Sequence, residues 1–252
     1  MQLNPDHEGP FPLILSDPTI ATTDFTDPFK FAQWYWQDLM LTHNVIIRAL
    51  NAIWLNAALV LSEDEQAFVG YALATVSMIR WHHGTQETVV FPRLQSKIDM
   101  RKNMAEHLKI DKKMKEFEEH LQRVQDGAKV FDMAEILELR NSFGVPLVEH
   151  FHNEIESFRP KSLYRCSQLE LTDLYTALEN HKHGLRDSAH IYPFLLSAHN
   201  REVAPNWPVV PASVRWVAQH VGPYVHGHYW KFAPYTTQGQ FQTYPMHEHH
   251  AL

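Results

Sequence analysis

Cysteine is almost missing from this sequence: Cys166 stands alone among 252 residues. One thiol excludes an internal disulfide and any CxxC pair, and it fits a reducing compartment. No run of about 18 uninterrupted apolar residues occurs, so no transmembrane helix is expected. The first twenty residues carry acids and prolines where a secretory signal needs a basic start and an unbroken apolar core. Basic excess is lacking too. A net charge of -7 leaves no cationic face for a phosphate backbone or an anionic bilayer. Nucleic acid and membrane are therefore not expected as partners, and the cytoplasm is the expected location. With nine glycines the chain also shows no phosphate-cradling loop.

What is present is an ordinary globular balance, 44% apolar and 20% charged, at a length suited to one large domain with an extension. Residues 1 to 27 read as an irregular arm. Asp27-Pro28 starts helix A, which runs without further proline or glycine to about Val60. Ser62 with Glu65 suggests a capping box for helix B, ending near Phe91 before Pro92. Asn103 with Glu106 opens helix C, which stops at Gly127. Asp132 with Glu135 opens helix D, which runs to about Phe158 and should kink at Pro146. A fifth helix from the Ser167/Glu170 cap to about Gly184 is expected outside the bundle. From Tyr192 onward, prolines and aromatics predict an extended wrapping segment. The expected fold is all-α: an up-down-up-down four-helix bundle over 28–160, then an extra helix and an irregular aromatic tail over 161–252.

Eighteen histidines are unusual. Six of them, His220, His226, His228, His247, His249 and His250, sit toward the end and read as solvated or simply packed. The others include His83-Gly-Thr-Gln-Glu87 and His150-Phe-His-Asn-Glu154. Spacing of four stacks an imidazole and a carboxylate on one helix face, within reach of one buried ion. His107-Leu-Lys-Ile-Asp111 repeats the spacing on helix C. His43 lies in helix A on a face with Trp36, Met40, Ile47, Leu50 and Trp54. Register supports a shared site: His43 lies ~26 Å before the A/B turn and His83 ~31 Å after it. Burying these carboxylates unpaired would cost several kcal/mol each, and a metal is the economical partner. His82 and His152 point about 100° away from the ligand face and are expected at the surface or in support. Trp34, Tyr35, Trp36 and Trp54 read as core packing, Glu118 as a core-edge acid or a proton relay.

These residues resemble the hemerythrin-like, or HHE cation-binding, domain family. The match spans about residues 30 to 160 through Thr42-His43-Asn44, His82-His83 with Glu87 and Phe91-Pro92, Glu106-His107, and His150 with Glu154. Trp230-Lys231-Phe232-Ala233-Pro234 is similar to the ending of fungal members. The resemblance implies two iron ions (Fe2+/Fe3+) about 3.5 Å apart, with Glu87 and Glu154 bridging beside an oxo, hydroxo or water bridge. The implied ligands are His43, His83, Glu87, His107, Asp111, His150 and Glu154. Helix C departs from the oxygen carriers, whose HxxxH becomes His107/Asp111. An added carboxylate favours the ferric state, so activation of dioxygen is expected over reversible binding. The expectation is a di-iron oxidoreductase that uses dioxygen on a small organic molecule. Its rival is a carrier, store, sensor or scavenger of oxygen, iron or nitric oxide.

Overall fold

The computed structural model describes residues 9–15, 27–183, 188–225 and 227–244, without the side chains of residues 28, 182–183, 188–190 and 223. His226, His247, His249 and His250 lie outside the described residues, as does most of the N-terminal arm. The helices are α1 (Pro28–Ala57), α2 (Glu65–Thr85), α3 (Phe91–Leu94), α4 (Arg101–Gln125), α5 (Met133–Ser157), α6 (Pro160–Leu163), α7 (Gln168–His183), α8 (Ser188–Ala198), α9 (Ala212–His220) and α10 (Gly227–Trp230). A π-helical turn, Gln86–Val90, joins α2 to α3 without a break. The fold is all-α, as expected. No helix among the described residues is long and apolar enough to cross a membrane.

α1, α2, α4 and α5 form the bundle, packing in a closed ring of neighbours: α1 on α2, α2 on α4, α4 on α5, and α5 back on α1. Two of the starts follow the sequence signals. Asp27 accepts from the Phe29 amide at 2.9 Å ahead of Pro28, and Asp132 accepts from the Ala134 and Glu135 amides. Two others do not. α4 begins at Arg101, whose amide donates to Asp99 rather than to Asn103. The Ser62/Glu65 box is replaced by a 3-10 turn (Ser62–Asp64), because Asp64 is engaged by Lys231 and by the Tyr244 hydroxyl at 2.8 Å. α5 runs through Pro146, whose exposed side leaves the freed Ser142 carbonyl facing solvent.

The core is apolar along the bundle axis, from Ile46 and Ile53 to Phe117, Phe143 and Phe151. Each such side chain contributes ~1.5–3 kcal/mol relative to exposure. Trp54, expected in the core, is 45% exposed. The tail is also more helical than its prolines suggest. Ile191, Phe194, Leu195 and Leu196 bury α8 against α1 and α2, and this burial overrides Pro193.

Two segments outside the bundle dock through named contacts. In the arm, Asn51 and Asn44, two helical turns apart on α1, each clamp one backbone position reciprocally. Asn51 accepts from the Phe11 amide and donates to its carbonyl, and Asn44 does the same at Ile14. Phe11 lies under the buried Arg140 guanidinium, 4.0 Å from its ring centroid. In the tail, the Tyr229 ring lies where a side chain on Gly70 would be: a Cβ there would come within 2.2 Å of it. Glycine at 70 is thus a requirement of close approach.

Candidate metal centre

Four bundle helices deliver six inward donors. α1 supplies His43, the last turn of α2 supplies His82 and His83, α4 supplies His107, and α5 supplies His150 and Glu154. They fall into two groups, His83/His107/His150 and His43/His82/Glu154, and within each the donor atoms all lie within 4.8 Å of one another. Every one of the six is buried. The Nε2 atoms of His107 and His150 are 3.1 Å apart, and so are those of His43 and His82. Glu154 Oε2 is 3.2 Å from His43 Nε2 and 3.9 Å from His150 Nε2, which puts this carboxylate between the groups.

The first group is backed from outside. His83, His107 and His150 each present Nδ1 to a carboxylate: Asp111 at 3.0 Å, Glu87 at 2.9 Å and Glu106 at 2.8 Å. An Nδ1–H donated outward leaves the Nε2 lone pair inward, the tautomer a metal ligand needs, and the carboxylate raises ligand basicity. The rings are locked as well. His83 stacks on His107 at 3.8 Å and His43 on Phe151 at 4.0 Å between centroids.

Electrostatics favour neutral imidazoles around one anion. Burial, reinforced by the neighbouring imidazoles, holds His107 at a pKa of about 3 and lowers His43 and His82. Burial alone would push the Glu154 carboxyl up. Its contact with His43 and the surrounding His150 and His82 outweigh that and hold it below the usual carboxylate range. Gln86 adds a direct donor, Nε2 to Glu154 Oε2 at 2.9 Å.

Besides His43 Nδ1 and Gln86 Oε1, the centre leaves two inward donor atoms, His83 Nε2 and Glu154 Oε1, buried with no hydrogen-bond partner. Orphaned groups cost about 1–3 kcal/mol each. A cation bound among the six donors gives both a partner, so the residues fit a metal.

The structure thus brings together His43, His83, His107, His150 and Glu154 of the expected ligands. Glu87 and Asp111 it places elsewhere, on the outer nitrogens of His107 and His83, with side chains 43% and 36% exposed. The π turn is the physical reason for Glu87. Its wider loop carries Glu87 outward, which uniform helical spacing cannot anticipate. Asp111, one turn beyond His107 on α4, meets the outer nitrogen of His83.

Three participants were missed: His82, Gln86 and Glu106. His82 was expected to face away, yet it is buried against His43; the signal was its own i, i+4 pairing with Gln86. Glu106, read as half of a cap, supports His150. Of the minor candidates, Glu118 pairs with Arg80, and His152 Nε2 reaches the Pro12 carbonyl at 3.2 Å. His220 bonds the Trp216 carbonyl of its own helix, and the His228 ring lies against Tyr229.

The family model described as the hemerythrin HHE cation binding domain matches residues 36–162. Dimeric xanthone biosynthesis cluster protein R11 of Cryptosporiopsis sp. (strain 8999) is 22% identical over 241 residues, covering 92% of this chain and 89% of that protein. No solved structure matches.

Proposed function

Because the chain belongs to the hemerythrin HHE cation-binding domain family, we propose that its six inward donors hold two iron ions and that the centre activates dioxygen to oxidise a small organic molecule. The observation that carries this reading is Glu154, a single ionised carboxylate between two groups of imidazole nitrogens. A carboxylate so placed can serve two ions at once, as two-metal sites require. His43, His82 and Glu154 also supply the two-histidine, one-carboxylate set that leaves coordination positions open in non-haem iron oxygenases. When bound, paired irons supply the electrons that dioxygen chemistry needs.

The chain's own residues do the rest. Asp111, Glu87 and Glu106 hold Nδ1 protons on three imidazoles and so keep Nε2 free to bind. Gln86 orients Glu154, and Phe151 and Phe91 pack against the imidazoles and exclude water. The matched relative bears the name of a biosynthesis cluster protein, which supports an enzyme over a carrier. One observation favours the second reading, a non-catalytic protein that binds oxygen, iron or nitric oxide. Five imidazoles to one inward carboxylate is a softer set than the sequence suggests, and softer sets hold the ferrous state.

Metal content and visible spectra of the purified protein, after dithionite and again after air, test both. Two irons per chain with rapid return to a ferric spectrum is the expected result. A persistent oxygenated band selects the carrier, and fewer than two irons at saturation refutes the di-iron reading.

A further inference from the structure

Two small cavities lie side by side on the flank of the bundle, with about 50 and 40 Å3 of water-accessible space. They share Trp34, Asp38 and Thr42 of α1 and Trp81 of α2. The inner cavity is lined by Leu178 of α7 and has His82 and Gln86 in its wall, so it touches the centre at His82. The outer one is walled by α8, through Tyr192 and Leu195, and by Trp207. Trp207 is fastened there: its Nε1 donates to Asp38 Oδ1 at 2.8 Å, tying the C-terminal segment to α1. The segment therefore builds a wall along the side of the bundle and does more than cover its end.

We propose that this flank is the binding site for a small, neutral, hydroxylated aromatic molecule, which reaches the centre at His82. The Trp34 and Trp81 indoles that line both cavities suit the face or edge of a planar ring. Asp38, in both cavities, offers an acceptor for a hydroxyl and repels an anion. A cation would also suit the indoles and Asp38, and tetramethylammonium is the probe that separates the two. Approach to iron rests on the di-iron reading; occupation of the flank does not.

The test uses 4-fluorophenol and the full chain, followed by fluorine NMR. With the metal-free protein, saturable line broadening is expected. Leu178→Trp, which fills the inner cavity from a helix outside the bundle, should weaken it at least tenfold. Leu108→Trp, at a site 75% exposed on α4, should leave it unchanged. Leu178→Phe narrows the same wall if the larger variant melts early. With iron loaded, transverse relaxation should rise several-fold above that of the zinc-loaded protein, since paramagnetic iron acts only on nearby nuclei. Equal broadening in wild type and a folded Leu178 variant overturns the site. Displacement by tetramethylammonium or benzoate at similar concentration overturns the neutral class. A chain that takes up no iron yet broadens the phenol saturably, and loses this in Leu178→Trp, refutes the di-iron reading and upholds the flank site.

Discussion

Removing the Glu87 or the Asp111 carboxylate separates a ligand from a support. Both meet an outer imidazole nitrogen at 2.9 and 3.0 Å, and neither is among the inward donors. Losing a carboxylate that orients a metal-bound histidine costs 10–100-fold in affinity, about 1.4–2.7 kcal/mol. Both side chains are more than a third exposed, so water replaces part of the lost interaction and the lower end applies, roughly tenfold. Glu87→Ala and Asp111→Ala should therefore each bind two irons per chain at saturation, with the weaker iron released to a competing chelator at about tenfold lower concentration. The assay is a chelator competition with iron counted by mass spectrometry. A saturated variant that stops at one iron would show its carboxylate to be a ligand, and the outer placement would be wrong for that residue.

Three further outcomes follow from named contacts. His82→Ala should hold one iron where the wild type holds two, since it breaks the His43/His82/Glu154 group and leaves the other intact; unchanged iron content removes His82 from the site. Gly70→Ala should lower the melting temperature by roughly 2–12 °C, as the added methyl meets the Tyr229 ring at an overpacking cost of about 1–3 kcal/mol. Gly84→Ala, with nothing within 4 Å, should be neutral or stabilising, and a fall equal to that of Gly70→Ala would refute the close-contact account. Burial lowers the pKa of His199 to about 4, below the ordinary value of about 6.5. The unfolded chain takes up that proton first, so stability is lost as pH falls from about 6.5 to about 4, by up to roughly 3 kcal/mol. The gap between urea midpoints at pH 7 and pH 5 should narrow in His199→Gln, with the buried His43, His82 and His107 keeping the rest of it; an unchanged gap would remove His199 from the acid-sensitive groups.

The bundle was legible because its signals are local and repeated. Asp27-Pro28 and Asp132 cap where expected, and the run from Phe31 to Ile53 leaves only one reading of period. Histidines 43, 83, 107 and 150 and Glu154 were legible because register along antiparallel helices can be counted in residues. Spacing does not, however, tell which nitrogen of an imidazole a carboxylate meets. His107/Asp111 and His83/Glu87 have ligand spacing, yet each carboxylate ends on the outer nitrogen of a histidine from another helix. His82 and Gln86 share a face at regular i, i+4 spacing and were hidden behind the His83/Glu87 pair beside them, whose carboxylate the π turn carries outward. The helicity of α8 was hidden by Pro193, because its burial against α1 and α2 is a property of the folded molecule.

The clasp on Asp64 has a consequence in time. Lys231 and Tyr244 reach it from 167 and 180 positions away, so these contacts are among the slowest to find and leave the ribosome long after the bundle does. All six inward donors lie before residue 155, and Trp207 comes some fifty residues later. A nascent chain thus assembles its metal donors while the outer wall of the flank is still being made. A chain cut short between Glu154 and Trp207 should consequently keep all six inward donors and lose the outer wall of the flank beside them.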